Sequence, residues 1–231
     1  MSDINNDMIL ALDTSVKNIS LAIIKDQQIL ASSNQIPQVS QSSELLSVIE
    51  FTFKQAQTEL KQISKILFCH GPGSFTSLRI GMATIKGLIW GSDVSVYFTS
   101  SLLFRNLSVK NTLESAEVIS LIRMGRDRLA AGFFTSGEGD AITAAQFNER
   151  ISSPQAIFEH LIGHKKSVIL TGDGVVSLDA QALQALGSRV TIINSDVTDP
   201  LAFLTILQNN LYQQTAVQSM SVNYMMAPDI G

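Results

Sequence analysis

Apolar positions along this chain follow two rhythms: short unbroken runs, and longer stretches that repeat every three or four residues. The runs predict strands over residues 8–12, 19–24, 29–36, 65–69, 94–99, 118–122, 129–134, 167–170 and 189–193. The first three are separated only by polar turns, which predicts an antiparallel meander. The longer rhythm predicts helices. After Ser42 and Ser43, the residues Leu45, Leu46, Ile49, Phe53, Ala56 and Leu60 make one inner face. Over 76–90, Leu78, Met82, Ile85 and Ile89 make another. A short helix follows Ser100-Ser101 through Leu102, Leu103 and Leu107. Further helices are expected after Ser153-Pro154, with Ile157, Phe158, Leu161 and Ile162 inward, and over 179–186 and 199–213. Residues 221–231 have little periodicity and read as a tail. Strands alternating with helices predict an α/β fold. The polar stretch 106–115 is the expected boundary between an N-terminal lobe, 1–108, and a smaller C-terminal lobe, 109–231. No repeat is visible at the level of short strings.

The junction between the strand 65–69 and the helix after it has the most distinctive chemistry. Gly71-Pro72-Gly73 stops regular structure, and Ser74 or Thr76 can cap the helix amides. On that helix Ala83, Gly87 and Gly91 recur every four residues beside the apolar face. Such a row either fits the helix to its own sheet or leaves a groove for a partner to approach closely. A glycine inside a helix costs roughly 1 kcal/mol. A turn with free amides could also hold an anion. GxxxxGK[ST] is absent, however, and GPGSFT lacks the third glycine of a dinucleotide fingerprint. GxSxG, the serine-hydrolase elbow, is missing too.

Composition narrows the class. The chain has 231 residues, 45% hydrophobic and 16% charged, with a net charge of -4, which suits a well-buried globular protein. The pI near 5.3 argues against a free-standing nucleic-acid binder. The single cysteine, Cys69, cannot form an internal disulfide and reads as a small buried residue rather than a nucleophile. The polar, acidic opening resembles no signal peptide, and apolar stretches are interrupted well short of the about 20 residues of a membrane span. A cytoplasmic location is expected.

Several smaller features admit two readings. Asp13, leaving the first strand, can join a magnesium–phosphate site, or with Thr14 and Ser15 it can hydrogen-bond the turn backbone. Gly172 and Gly174 follow a strand, where phosphates often sit. The turn 123–128 carries three of the sixteen basic residues, as a solvated hairpin tip or as a contact for a phosphate or acidic partner. His160 and His164, four apart, could share a metal. Gly163 is expected to end the helix between them, and no third ligand is apparent, so they read as polar surface with no metal.

The string GPGSFTSLRIG, residues 71–81, closely resembles the GPGSFTGLRIG signature of the TsaB (YeaZ-like) family, with Ser77 in place of the usual glycine. The resemblance extends to ILALDTS and ISLAIIKD near the start, SELLSVIEFTFKQ, IRMGRDRLAAGFF and TGDGV. Departures are Arg123, where an aspartate is common, the SQSS before the first long helix, and VNYMM near the C-terminus. The resemblance implies an actin-like, sugar-kinase-like (ribonuclease H-like) fold of two α/β lobes with mixed sheets flanked by helices. It also implies a non-catalytic scaffold that binds and activates TsaD, the subunit that moves a threonylcarbamoyl group to adenosine 37 of certain tRNAs. The ATPase TsaE joins them, tRNA is met only through the complex, and the lone protein is expected as a homodimer. No catalytic residues are expected. The family's heterodimer maps onto the helices over 43–60 and 76–90. The implied interface is Leu45, Leu46, Ile49, Phe53, Ser74, Phe75, Arg79, Met82, Ala83, Lys86, Gly87 and Trp90. No cofactor is required alone, with ATP or ADP and magnesium entering only in the complex. The alternative is an independent magnesium-dependent ATPase or kinase using Asp13, Thr14, Ser15, Gly172 and Gly174. Its Asp13 loop lacks the glycine such kinases usually place beside the aspartate. A peptidase finds no support in three histidines that lie near no nucleophile motif.

Overall fold

The structure is a computed structural model that describes residues 7–109, 116–125, 127–135, 142–193 and 198–225. It contains two mixed sheets. In the first, β1 (Met8–Asp13), β2 (Ile19–Lys25) and β3 (Gln28–Gln35) form the expected antiparallel meander, and β4 (Lys65–Cys69) and β5 (Ser95–Thr99) run parallel to β1. The strand order is β11-β5-β4-β1-β2-β3, where β11 (Gln213–Thr215) is an antiparallel edge strand. Ile9 to Leu12 and Ile66 to Cys69 are buried on both faces, which is why these central strands read as unbroken apolar runs.

The second sheet repeats that plan. β6 (Glu117–Arg123), β7 (Leu129–Thr135) and β8 (Phe147–Ser152) form a meander, while β9 (Val168–Thr171) and β10 (Val190–Ile193) lie parallel to β6, in the order β10-β9-β6-β7-β8. The topology is therefore duplicated although no short string is. Two mixed sheets flanked by helices agree with the α/β class expected above.

The boundary between the lobes is corrected. One compact unit spans Met1–Ser101 and Pro200–Gly231, and the other spans Leu102–Asp199. A division at 108 would split the helix α3 (Ser101–Val109) from its partners. Asn106 Nδ2 donates to the Gly132 carbonyl at 3.0 Å, and Ser120 Oγ donates to that of Leu102 at 3.0 Å. The last segment returns to the first unit. There α6 (Leu201–Gln208) leads into β11, and Thr99 Oγ1 donates to the Leu211 carbonyl at 2.9 Å.

Two further helices line the first sheet: α1 (Gln41–Gln55) and α2 (Phe75–Leu88). Ser40, not Ser42 or Ser43, is the N-cap of α1, its Oγ accepting from the Ser43 amide at 3.2 Å. The inner face of α1 is Leu45, Val48, Ile49, Thr52 and Phe53. Leu46 was expected inside and points outward, 58% exposed. Thr52 takes an inward place because its hydroxyl donates to the Val48 carbonyl at 2.8 Å and lies 2.7 Å from Ser33 Oγ. In the second unit, α4 (Pro154–Gly163) is capped by Ser153, and α5 (Ala180–Ala185) by Asp179. Among the described residues, no helix is long and apolar enough to cross a membrane.

The neighbours Leu45 and Leu46 give a direct check on this packing. Leu45→Ala should cost about 2–5 kcal/mol of unfolding free energy, whereas Leu46→Ala should stay within about 0.5 kcal/mol. Urea unfolding of the two variants measures the difference, and equal losses would contradict the helix phase.

Candidate functional site: the outer face of α1 and α2

The parallel register of β1 and β4 sets Asp13 opposite Cys69, so the loops that follow them emerge side by side. Both loops are sealed against each other. The Ser74 amide donates to the Ser15 carbonyl at 2.6 Å, and a Cβ on Gly73 would lie 2.2 Å from that oxygen. Asp13 Oδ1 accepts from the Ser15 amide at 3.0 Å, and Thr14 Oγ1 donates to the Ser77 carbonyl at 3.1 Å. All three of Asp13, Thr14 and Ser15 are buried. The Asp13 carboxylate thus makes the turn-backbone hydrogen bond that the sequence suggested. Gly172 and Gly174 lie in the other unit, where a Cβ on either would meet the Leu121 backbone at 2.0 and 2.9 Å. Both glycines let the loop approach β6 closely.

His70 sits at the same turn, in front of the glycines. Its Nδ1 is 2.8 Å from the Thr99 carbonyl, and its ring stacks on Phe98 with centroids 4.7 Å apart. Burial pushes this imidazole below the ordinary histidine value, against a smaller upward pull from the Thr99 carbonyl.

Ser74 caps α2, its Oγ accepting from the Ser77 amide. With the start of the helix fixed, Leu78, Met82, Ile85 and Ile89 face the sheet. The opposite side carries Phe75, Arg79, Ala83 and Gly87 at four-residue intervals, all exposed, and Gly91, expected on the helix, lies instead in the turn after it at φ +74°. A Cβ on Gly87 or Gly91 would meet nothing within 4 Å. Trp90 is 89% exposed beside them. The neighbouring α1 adds Leu46 and Phe51, also exposed, next to a surface Glu50–Lys54 pair at 2.8 Å. Gln41 anchors the first turn of α1, its Nε2 donating to the Val16 carbonyl at 2.6 Å.

The expected interface residues therefore divide. Leu46, Ser74, Phe75, Arg79, Ala83, Gly87 and Trp90 are exposed, and Lys86 is half-buried. Leu45, Ile49, Phe53 and Met82 belong instead to the hydrophobic core, because they lie on the sheet side of their helices. Phe51 was missed, since its position falls outside the inner stripe by which that helix is recognised.

A segment expected to be a structureless tail also reaches this face. Tyr224 stacks on Phe75 at 4.7 Å and accepts from Arg79 Nε at 3.0 Å, while the Arg79 guanidinium lies over the Phe75 ring at 3.6 Å. Lys86 Nζ donates to the Met220 carbonyl at 3.1 Å, and the Asn223 amide donates to that of His70 at 2.7 Å. Residues 220–224 thus strap the glycine turn to α2.

A family model described as TsaD, tRNA N6-adenosine threonylcarbamoyltransferase, matches residues 35–147. Over 220 residues the chain is 20% identical to the tRNA threonylcarbamoyladenosine biosynthesis protein TsaB of Buchnera aphidicola subsp. Acyrthosiphon pisum, covering 95% of this chain and 98% of that one. It is 32% identical to the protein of the same name from Haemophilus influenzae over 97 residues, 42% of this chain and 41% of that protein. A Pseudomonas aeruginosa protein, described as uncharacterized with similarity to peptidase YEAZ, shares the fold. Its TM-score is 0.74 at 17% identity, over 95% of this chain and 100% of that one.

The depressed His70 sets a pH test. A folded state that resists protonation loses stability as pH falls through the ordinary histidine value of about 6.5 toward the lower folded one, because the unfolded chain then binds more protons. The melting-temperature advantage of the unmodified chain over His70→Gln should shrink on acidification through that window. A difference that stays constant with pH would count against a neutral, buried His70.

Proposed function

We propose that the chain is a member of the TsaB family, a non-catalytic scaffold that binds and activates TsaD in tRNA threonylcarbamoyladenosine biosynthesis. The observation that carries this reading is the outward face of α2, where Ala83 and Gly87 leave backbone open to solvent between Phe75, Arg79 and Trp90. A glycine within a helix weakens it, and its own lobe gives no packing reason for Gly87, whereas Gly91 lies past the helix end at a positive φ that favours glycine. A second helix laid along this stripe could approach closely. Phe75, Trp90, Leu46 and Phe51 would supply the aromatic and aliphatic anchors that dominate protein interfaces, with Arg79 held over the Phe75 ring and by the Tyr224 hydroxyl.

In this reading the partner is TsaD, and the same face serves a homodimer when TsaD is absent. TsaE and tRNA are met only in the assembled complex, in the cytoplasm. ATP or ADP with magnesium enters there and not in the lone chain. The competing reading, an independent ATPase or kinase, is disfavoured by the packing of the Asp13 loop and of Gly172 and Gly174 against their own backbones.

Gly87→Leu and Ala83→Trp test the interface without disturbing the fold, since Gly87 faces open space and Ala83 is exposed. Gly87→Leu should melt no lower than the unmodified chain, as leaving glycine favours the helix by up to about 1 kcal/mol, and Ala83→Trp should cost no more than about 0.7 kcal/mol of helix propensity. Each should lose association with TsaD by at least about tenfold, read by co-purification and calorimetry. Unchanged binding by both variants would remove the proposed surface. ATP hydrolysis or magnesium-dependent ATP binding by the lone chain would favour the kinase reading instead.

A further inference from the structure

The second unit brings together three metal-ligating side chains that the sequence leaves 43 residues apart. Glu117 opens β6 and is buried, 5% exposed. His160 lies on the last turn of α4, and His164 caps that helix. Gly163 does not break the turn between them, because the His164 amide still donates to the His160 carbonyl at 2.9 Å. The two imidazoles consequently stack one turn apart, with centroids at 5.4 Å. Glu117 Oε2 lies 2.7 Å from His160 Nε2 and 3.6 Å from His164 Nδ1. One ligand atom from each of the three falls within 4.8 Å of the others. The remaining ring nitrogen of His164, Nε2, is buried with no hydrogen-bond partner among the described residues.

We propose that Glu117, His160 and His164 form a binding site for one divalent transition-metal ion, of which zinc fits their chemistry best. Two histidines at i and i+4 present their rings on one side of a helix, and a carboxylate from another element completes a His2Glu donor set. Imidazole donors select against magnesium and calcium, which take oxygen ligands. Zinc bonds of about 2.0–2.2 Å place donors in a tetrahedral site roughly 3.3 Å apart. The observed separations of 2.7 and 3.6 Å bracket that distance. Entry of the ion takes the place of the hydrogen bond between Glu117 and His160; the neutral imidazole carries its proton on Nδ1 when Nε2 ligates, and the fourth position is open to water. The edge of the Phe133 ring on His160, at 5.0 Å, and Arg189, which donates to the His164 carbonyl, hold both rings in place. The consequence is a staple between the start of β6 and the end of α4.

Untagged full-length protein, stripped with a chelator and dialysed against zinc, should retain one zinc per chain by elemental analysis. It should also melt at a higher temperature than the stripped form. Glu117→Gln and His164→Asn should each weaken zinc binding by about 100-fold or more. Should either variant fail to fold, NMR of the unmodified protein keeps the test. Zinc should then move the ring signals of His160 and His164 stoichiometrically and leave those of His70 in place. No stoichiometric zinc at micromolar free metal, ring signals that do not respond, or equal binding by both variants would overturn the site.

Discussion

The contact between the Ser74 amide and the Ser15 carbonyl, at 2.6 Å, decides the geometry of the first unit. It exists because β1 and β4 are parallel neighbours in a register that ends both strands level, Asp13 against Cys69. It is permitted because Gly73 has no side chain where one would strike Ser15. Once the loops are joined, the first turn of α2 has one starting point and one roll angle. That roll sends Leu78, Met82, Ile85 and Ile89 into the core and every fourth residue from Phe75 to Gly87 out to solvent. A site at the end of one strand thereby controls a surface several helical turns away.

The same contact also determines what lies between the first two strand-end loops. Space between the first two strand-end loops is filled by the chain's own backbone, and Asp13 spends a carboxylate oxygen on the Ser15 amide. In the second unit, Gly172 and Gly174 let their loop settle directly on Leu121. On the first unit the outer sides of α1 and α2 stay open to solvent, with Leu46, Phe51, Phe75 and Trp90 exposed on or beside them.

Much of this was legible in the residues, and the failures share a cause. Central strands announce themselves because burial on both faces demands apolar runs, and the glycine turn does so because few residues fit it. Phase within α1 was harder. Leu45 and Leu46 are adjacent and alike, and only packing against the sheet decides that Val48 and a hydrogen-bonded Thr52 go inward while Leu46 goes out. β8, read FNERIS, and β11, read QQT, are polar edge strands held by neighbours' backbones, so side-chain pattern hardly marks them. The strap at 220–224 is fixed by single contacts to Arg79, Lys86 and His70, none of which has a period. Glu117 could not be paired with His160 before the sheet was known.

The discontinuity of the first unit has a consequence for how the chain is made. Leu102–Asp199 is an insertion within a body that Pro200–Gly231 completes. A nascent chain therefore displays β5 with an unpaired outer edge until Gln213–Thr215 arrives to cover it. At ribosomal speeds of about 5–20 residues per second, that wait is on the order of ten seconds. During it the inserted body can finish first. The lobe translated earliest is the one completed last, and its raw edge is where a nascent-chain chaperone would have reason to bind.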